Sequence, residues 1–262
     1  MRLPRIEIAL FTALALAAVG GAAEAPQTAA APAAKASIEP AAMAALQSMG
    51  TYLRTLKSFQ VESASTDEEV LDDGQKIQYS GTTNILAQMP GSLRAEVAND
   101  RHDRMYLYDG TSFTLFAKRL NFYATVPAPP TIKQLVDALD ENYGFSVPLE
   151  DLFRWGSPGW STDQITSATD VGPSVVADTT CEHYAFRQDD IDWQIWIQKG
   201  EFPLPRKLVI TTKTDEARPQ HTAVFTWNLA PSFNDATFVF DPPADAGRVV
   251  LAKAATAAGA GK

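Results

Sequence analysis

Cys181-Glu182-His183 brings the chain's only thiol within two residues of an imidazole. Residues i and i+2 share a face of a strand, so Cys181 and His183 could form the thiolate–imidazole pair of a covalent nucleophile. A buried structural thiol on a strand is the commoner arrangement. The other histidines, His102 and His221, lie in no His-x-x-x-His or similar pair, so a metal site has no support. Asp189-Asp190-Ile191-Asp192 has the acidic density of a cation loop. It lacks the glycine and the distal glutamate that a calcium loop needs, and it reads as a hairpin turn. The acidic stretches 72–74 and 99–103 read as turns and solvated edges. There is no Gly-x-Ser-x-Gly elbow and no phosphate loop. The expectation is a protein that is not an enzyme, with no cofactor and no metal.

What the sequence holds instead is aromatic and aliphatic bulk: five Trp, seven Tyr and thirteen Phe in 262 residues. In the run from Asp192 to Gln198, Trp193, Ile195 and Ile197 point one way and Gln194, Trp196 and Gln198 the other. The first face is apolar throughout. It is either packed core or the lining of a cavity, and the alternation alone does not decide between them.

The net charge is −9, and no part of the chain is dense in Lys or Arg. That disfavours nucleic acid and any stable hold on anionic lipid, leaving membrane contact at most transient. Residues 1–23 follow the order of a secretory signal peptide: Arg2 and Arg5, an apolar run from Ile8, then small residues to Ala23. Cleavage after Ala23 removes two Arg and one Glu and leaves a net charge of −10. A single cysteine permits no intramolecular disulfide, and none stands near the cleavage point to carry a lipid anchor. The reading is a soluble periplasmic protein.

The elements that must position the apolar face follow from pattern. Residues 24–38 are Ala- and Pro-rich and read as a flexible tether; 252–262 read as a disordered tail. Met43, Leu46, Met49, Leu53 and Leu56 make the stripe of a helix from Pro40 to Leu56, weakened by Gly50. Strands are expected at 59–63, on both sides of the Asp73-Gly74 turn, at 92–98, and three times in 104–126. A helix follows over 132–144, with Thr131 as N-cap and Gly144 as stop, then a short one near 148–153. A loop with Trp155 and Trp160 comes next, and strands return at 181–187, 192–198, 206–213 and 221–229. With no long polar linker, 39–251 reads as one α+β, mainly antiparallel domain of about nine to eleven strands. A sheet of that size should curl.

Met89-Pro90-Gly91-Ser92-Leu93-Arg94 and the Asp109-Gly110 hairpin running into Val126-Pro127 resemble the LolA/LolB-like lipoprotein-carrier superfamily. The blocks 131–153 and 181–211 and the closing 238–243 look more narrowly like the DUF2092 family of predicted periplasmic proteins, over roughly Ala41 to Leu251. The resemblance implies a strongly curved, unclosed β-barrel whose helices lid the concave face. It further implies an apolar cavity for an acyl chain or a lipidated partner, and it transfers no functional residue by position. On that shape, Trp193, Ile195 and Ile197 should be concave, joined by Leu208 and Ile210 from the next strand and by Leu93 and Val97 across the sheet. These seven are the expected ligand-binding residues, with the Trp155–Trp160 loop as gate. Whether helices or a ligand fill that face stays open. The expected function is a non-enzymatic periplasmic binding protein for a lipid, acyl chain or lipidated polypeptide. The alternative is an interaction or sensor module that docks a membrane-bound envelope partner protein.

Overall fold

The computed structural model describes residues 37–253 apart from Asp235. The expected signal peptide, the tether up to residue 36 and the tail beyond residue 253 lie outside the described residues. One helix, α1 (Pro40–Thr55), leads into six strands: β1 (Ser58–Val70), β2 (Lys76–Gln88), β3 (Ser92–Asn99), β4 (Asp103–Tyr108), β5 (Ser112–Ala117) and β6 (Phe122–Pro127). A crossover then carries α2 (Ile132–Tyr143) and α3 (Asp151–Arg154). Five more strands follow: β7 (Ser167–Val176), β8 (Thr179–Arg187), β9 (Ile191–Gln198), β10 (Pro205–Thr212) and β11 (Gln220–Asn228). A two-residue strand, β12 (Gly247–Arg248), ends the series.

All twelve strands form one curved, unclosed sheet in the order β12-β6-β5-β4-β3-β2-β1-β11-β10-β9-β8-β7. Each half is an up-and-down meander built from hairpins. The halves join where β1 pairs antiparallel with β11, Ser63 opposite Phe225 and Asp67 opposite His221. Only β12 runs parallel to its neighbour, β6.

Local chemistry explains most of these elements. The β1–β2 hairpin turns over Asp73-Gly74, with Gly74 at φ +83°, a conformation glycine adopts without steric cost. Thr131 caps α2 by accepting the Gln134 N–H at 3.3 Å, and Gly144 ends it at φ +65°. Three features differ from the sequence reading. Strand β1 merges the expected strand at 59–63 with the arm before the Asp73-Gly74 turn, because β2 pairs with it along its whole length and β11 as far as Asp67. Strand β7 has no counterpart in that reading. Gly172 and Pro173 interrupt its alternation and Val171 and Val175 are exposed, features that only an edge strand tolerates. Ser37 and Ile38, read as the end of a tether, run beside that edge, with Ile38 bridging Ala168.

Register sets the inner face. One row reads Phe59, Ala87, Leu93, Tyr108, Phe113 across β1 to β5. Another reads Tyr184, Ile195, Leu208, Ala223 across β8 to β11. The helices pack their stripes against this face: Leu46, Met49 and Leu53 of α1, Leu135, Val136 and Leu139 of α2, Leu152 and Phe153 of α3. Each fully buried side chain of this size contributes about 1.5–3 kcal/mol. Helices therefore fill most of the inner face, which answers half of the question that the sequence left open.

Candidate functional site

The helices leave part of the inner face uncovered. Between the β9–β10 end of the sheet, α1, and the chain from α3 to Ile165 lies a cavity of about 520 Å³. Its apolar side is formed by Leu46, Trp155, Trp160, Ile165, Trp193, Leu208 and Ile210. Its polar side carries Lys133, Asp151, Arg154, Gln164 and Gln188. A volume of this size suits a small or single-chain ligand.

The wall formed by residues 155–160 is held from α1. Gly50 and Gly156 touch backbone to backbone: a Cβ on Gly156, whose φ is +68°, would lie 2.4 Å from the Gly50 carbonyl carbon. Gly50, which weakens the helix as a helix, is needed for this approach. Arg54 reaches from the last turn of α1 to the C-terminal end of α3, donating to the Phe153 carbonyl at 2.8 Å and to the Leu152 carbonyl. Burial lowers the Arg54 pKa, but the guanidinium stays charged well above neutrality. Within the wall, the Ser157 N–H bonds the Arg154 carbonyl and the Trp160 N–H the Ser157 carbonyl, each at 3.0 Å. Trp193 stacks on Phe186 with ring centroids 4.3 Å apart, so the cavity floor is rigid where it is aromatic.

The charges on the polar side are mostly spent on one another. Lys133 Nζ lies 2.7 Å from Asp137, and Arg154 lies 3.3 Å from Asp137 and 3.2 Å from Glu150. Burial raises the Glu150 pKa, with Arg154 opposing it. Asp151 differs. Its side chain makes no ion pair or hydrogen bond among the described residues, and desolvation raises its pKa against the pull of Arg154 and His221. His221 faces the same side of the sheet and holds Asp67 at 2.6 Å.

The seven expected binding residues divide. Trp193, Leu208 and Ile210 line the cavity together. Ile195, Ile197 and Leu93 share the inner face but are sealed under helices at 0%, 4% and 0% exposure. Val97 is half-buried beside a separate depression of about 510 Å³ whose lining includes Glu62, Glu96 and Lys118. The gate loop is in contact with the cavity through both Trp155 and Trp160. Asp151, Arg154 and Lys133 escape sequence reasoning, since helix-borne charges give no sequence signal of facing a cavity.

The thiol–imidazole pair does not form a nucleophile. Cys181 is fully buried, and burial raises its pKa, which keeps it a thiol. His183 instead bonds Gln194 at 3.0 Å and stacks on Trp196 at 3.9 Å. Among the described residues no cluster of three metal-ligating side chains occurs.

The fold and cavity define an open antiparallel half-barrel lidded by helices, with a pocket lined by both apolar and polar side chains at one end of the lid. The chain belongs to the DUF2092 family of predicted periplasmic proteins, whose model matches residues 42–252. No curated protein matches the sequence. Among solved structures, an uncharacterized conserved protein from Thermus thermophilus is similar over 80% of this chain and 99% of its own, at 10% identity and a TM-score of 0.47. LprF from Mycobacterium bovis is similar over 80% of this chain and 100% of its own, at 14% identity and a TM-score of 0.44. A LolA superfamily protein from Nitrosomonas europaea is similar over 76% and 97%, at 11% identity and a TM-score of 0.35.

Proposed function

We propose that the protein is a non-enzymatic periplasmic binding protein that holds a lipid, an acyl chain or the acyl part of a lipidated polypeptide. The observation that carries this reading is the cavity of about 520 Å³, where Trp155, Trp160, Trp193, Leu208 and Ile210 converge on space the helices do not fill. Binding would come from apolar burial: a chain that hides on the order of 200 Å² gains about 5 kcal/mol before ordering costs. The 155–160 segment, bounded by Gly156 and Gly159 at φ +68° and +84°, would be the part that moves to admit it. Ile195, Ile197, Leu93 and Val97 would support the site without touching the ligand.

The test is to purify residues 24–262 from the periplasm under mild conditions, extract with organic solvent and weigh the extract by mass spectrometry. A stoichiometric acyl species is the expected result. A clean extract, repeated after incubation with total membrane lipids, would overturn the reading.

One observation favours the second reading, a module docked to a membrane-bound partner protein. Leu120, Phe122 and Val250 are 70%, 48% and 92% exposed at the β6–β12 edge of the sheet. A photo-crosslinker at Leu120 should then capture one discrete envelope protein in cells; a diffuse ladder would count against it.

A further inference from the structure

The cavity has a polar side whose charges are not equivalent. Lys133 and Arg154 are each within 3.3 Å of a carboxylate, so neither is free to attract an anion. Asp137 and Glu150 are the carboxylates that neutralise them. That leaves Asp151 as the carboxylate on the cavity with no partner among the described residues. It is solvent-exposed and lines the cavity. The protein around it raises its pKa by desolvation, against the pull of Arg154 and His221. The nearest compensating groups, Arg154 on α3 and His221 on β11, act on it only at a distance. A carboxylate at a partly closed site with no protein partner is open to a cationic donor on a ligand. The opposite wall, formed by Trp193, Leu208 and Ile210, is apolar apart from the Trp193 indole N–H, which is buried without a partner among the described residues. A ligand that satisfies both sides has a hydrocarbon body and a cationic, hydrogen-donating end.

We propose that the cavity selects a single-chain amphiphile by its polar end, with Asp151 receiving a primary ammonium while the chain lies along Trp193, Leu208 and Ile210. The inference rests on the apolar-ligand reading above and adds the headgroup to it. An anionic end in the same place would meet Asp151 with no free cation to offset the repulsion. The overall charge of −9 works in the same direction.

The experiment compares decylammonium with decanoate, which share one chain length and differ in the sign of the head. Titration calorimetry of residues 24–262 at pH 7.5 gives both affinities. The expected result is tighter binding of decylammonium by tenfold or more. In Asp151→Asn the preference should fall to within about twofold, and in Asp151→Glu it should persist. Equal affinities in the wild type, or an unchanged preference in Asp151→Asn, would overturn the headgroup assignment and leave the apolar cavity standing. If neither probe binds, the apolar-ligand reading fails and the headgroup assignment falls with it.

Discussion

At the scale of single residues, Asp151 and Gly156 carry opposite kinds of constraint. Asp151 has its pKa raised by desolvation, so folding is opposed by its charge at neutral pH. The sign follows: above the raised folded-state pKa the unfolded chain holds the charge more comfortably, and below the unfolded value the penalty is gone. Asp151→Asn is therefore expected to raise the urea midpoint at pH 7, and the gain should vanish near pH 3.5. A midpoint that falls at pH 7 would show the carboxylate to be compensated after all. Gly156 is constrained by space as well as by dihedral. Gly156→Ala combines φ +68° with a Cβ 2.4 Å from Gly50, and should cost more than about 2 kcal/mol. Gly159→Ala, at φ +84° with open space around it, should cost about 1 kcal/mol. Urea unfolding of the two variants checks the difference. Cys181 should resist alkylation in the folded protein and react only on unfolding.

At the scale of elements, two tethers hold the cavity's walls. Arg54 satisfies carbonyls at the end of α3, and nothing else in α1 reaches them as a donor. Arg54→Met keeps much of the apolar stem but frees those carbonyls, so hydrogen exchange should accelerate selectively over residues 150–160. Uniform acceleration across the sheet would mean that Arg54 serves global stability rather than the wall. Asp192 fastens the strand ends on the other side. Arg187 lies 2.7 Å from it, Arg218 2.9 Å and Lys213 3.9 Å. The Arg187 hydrogen bond, foremost, holds the Asp192 pKa below its usual value. Its contribution is present above the unfolded pKa of about 3.9 and is lost as pH falls through the lower folded value. Asp192→Asn should lower stability at pH 7 and match the wild type at the acid end. These element-level features were partly legible. The capping residues of α2 and the turn at Asp73-Gly74 are local signals, and they lie where expected. Strand β7 was not legible, because an edge strand needs neither alternation nor freedom from proline.

At the scale of the whole molecule, occupancy of the cavity is a linkage effect. A ligand that binds only the folded state should raise the thermal midpoint, with a stabilisation of about 2.7 kcal/mol at one hundred times its Kd. Decylammonium should do this in a concentration-dependent way, and Trp160→Ala should reduce the shift by removing one wall. The sheet's architecture makes such a site possible. Within the sheet the two meanders meet through β1 and β11, and the crossover between them carries α2 and α3, two of the three helices packed on the inner face.

The sequence by itself determined the alternating strands and the helix stripes, with the caps of α2. All of these depend on neighbours within a few residues. It also placed Trp193 with Ile195, and Leu208 with Ile210, on one face of their own strands; the register that pairs Ile195 with Leu208 turns both pairs to the same side. Tertiary structure alone decided which of them are core and which line the cavity. Ile195 is fully buried, whereas Ile210 is half-buried and lines the cavity. The pairing of Ser63 with Phe225 and the approach of Gly50 to Gly156 join residues more than a hundred positions apart. Such contacts are fixed by the packing of the whole sheet, and no local pattern encodes them.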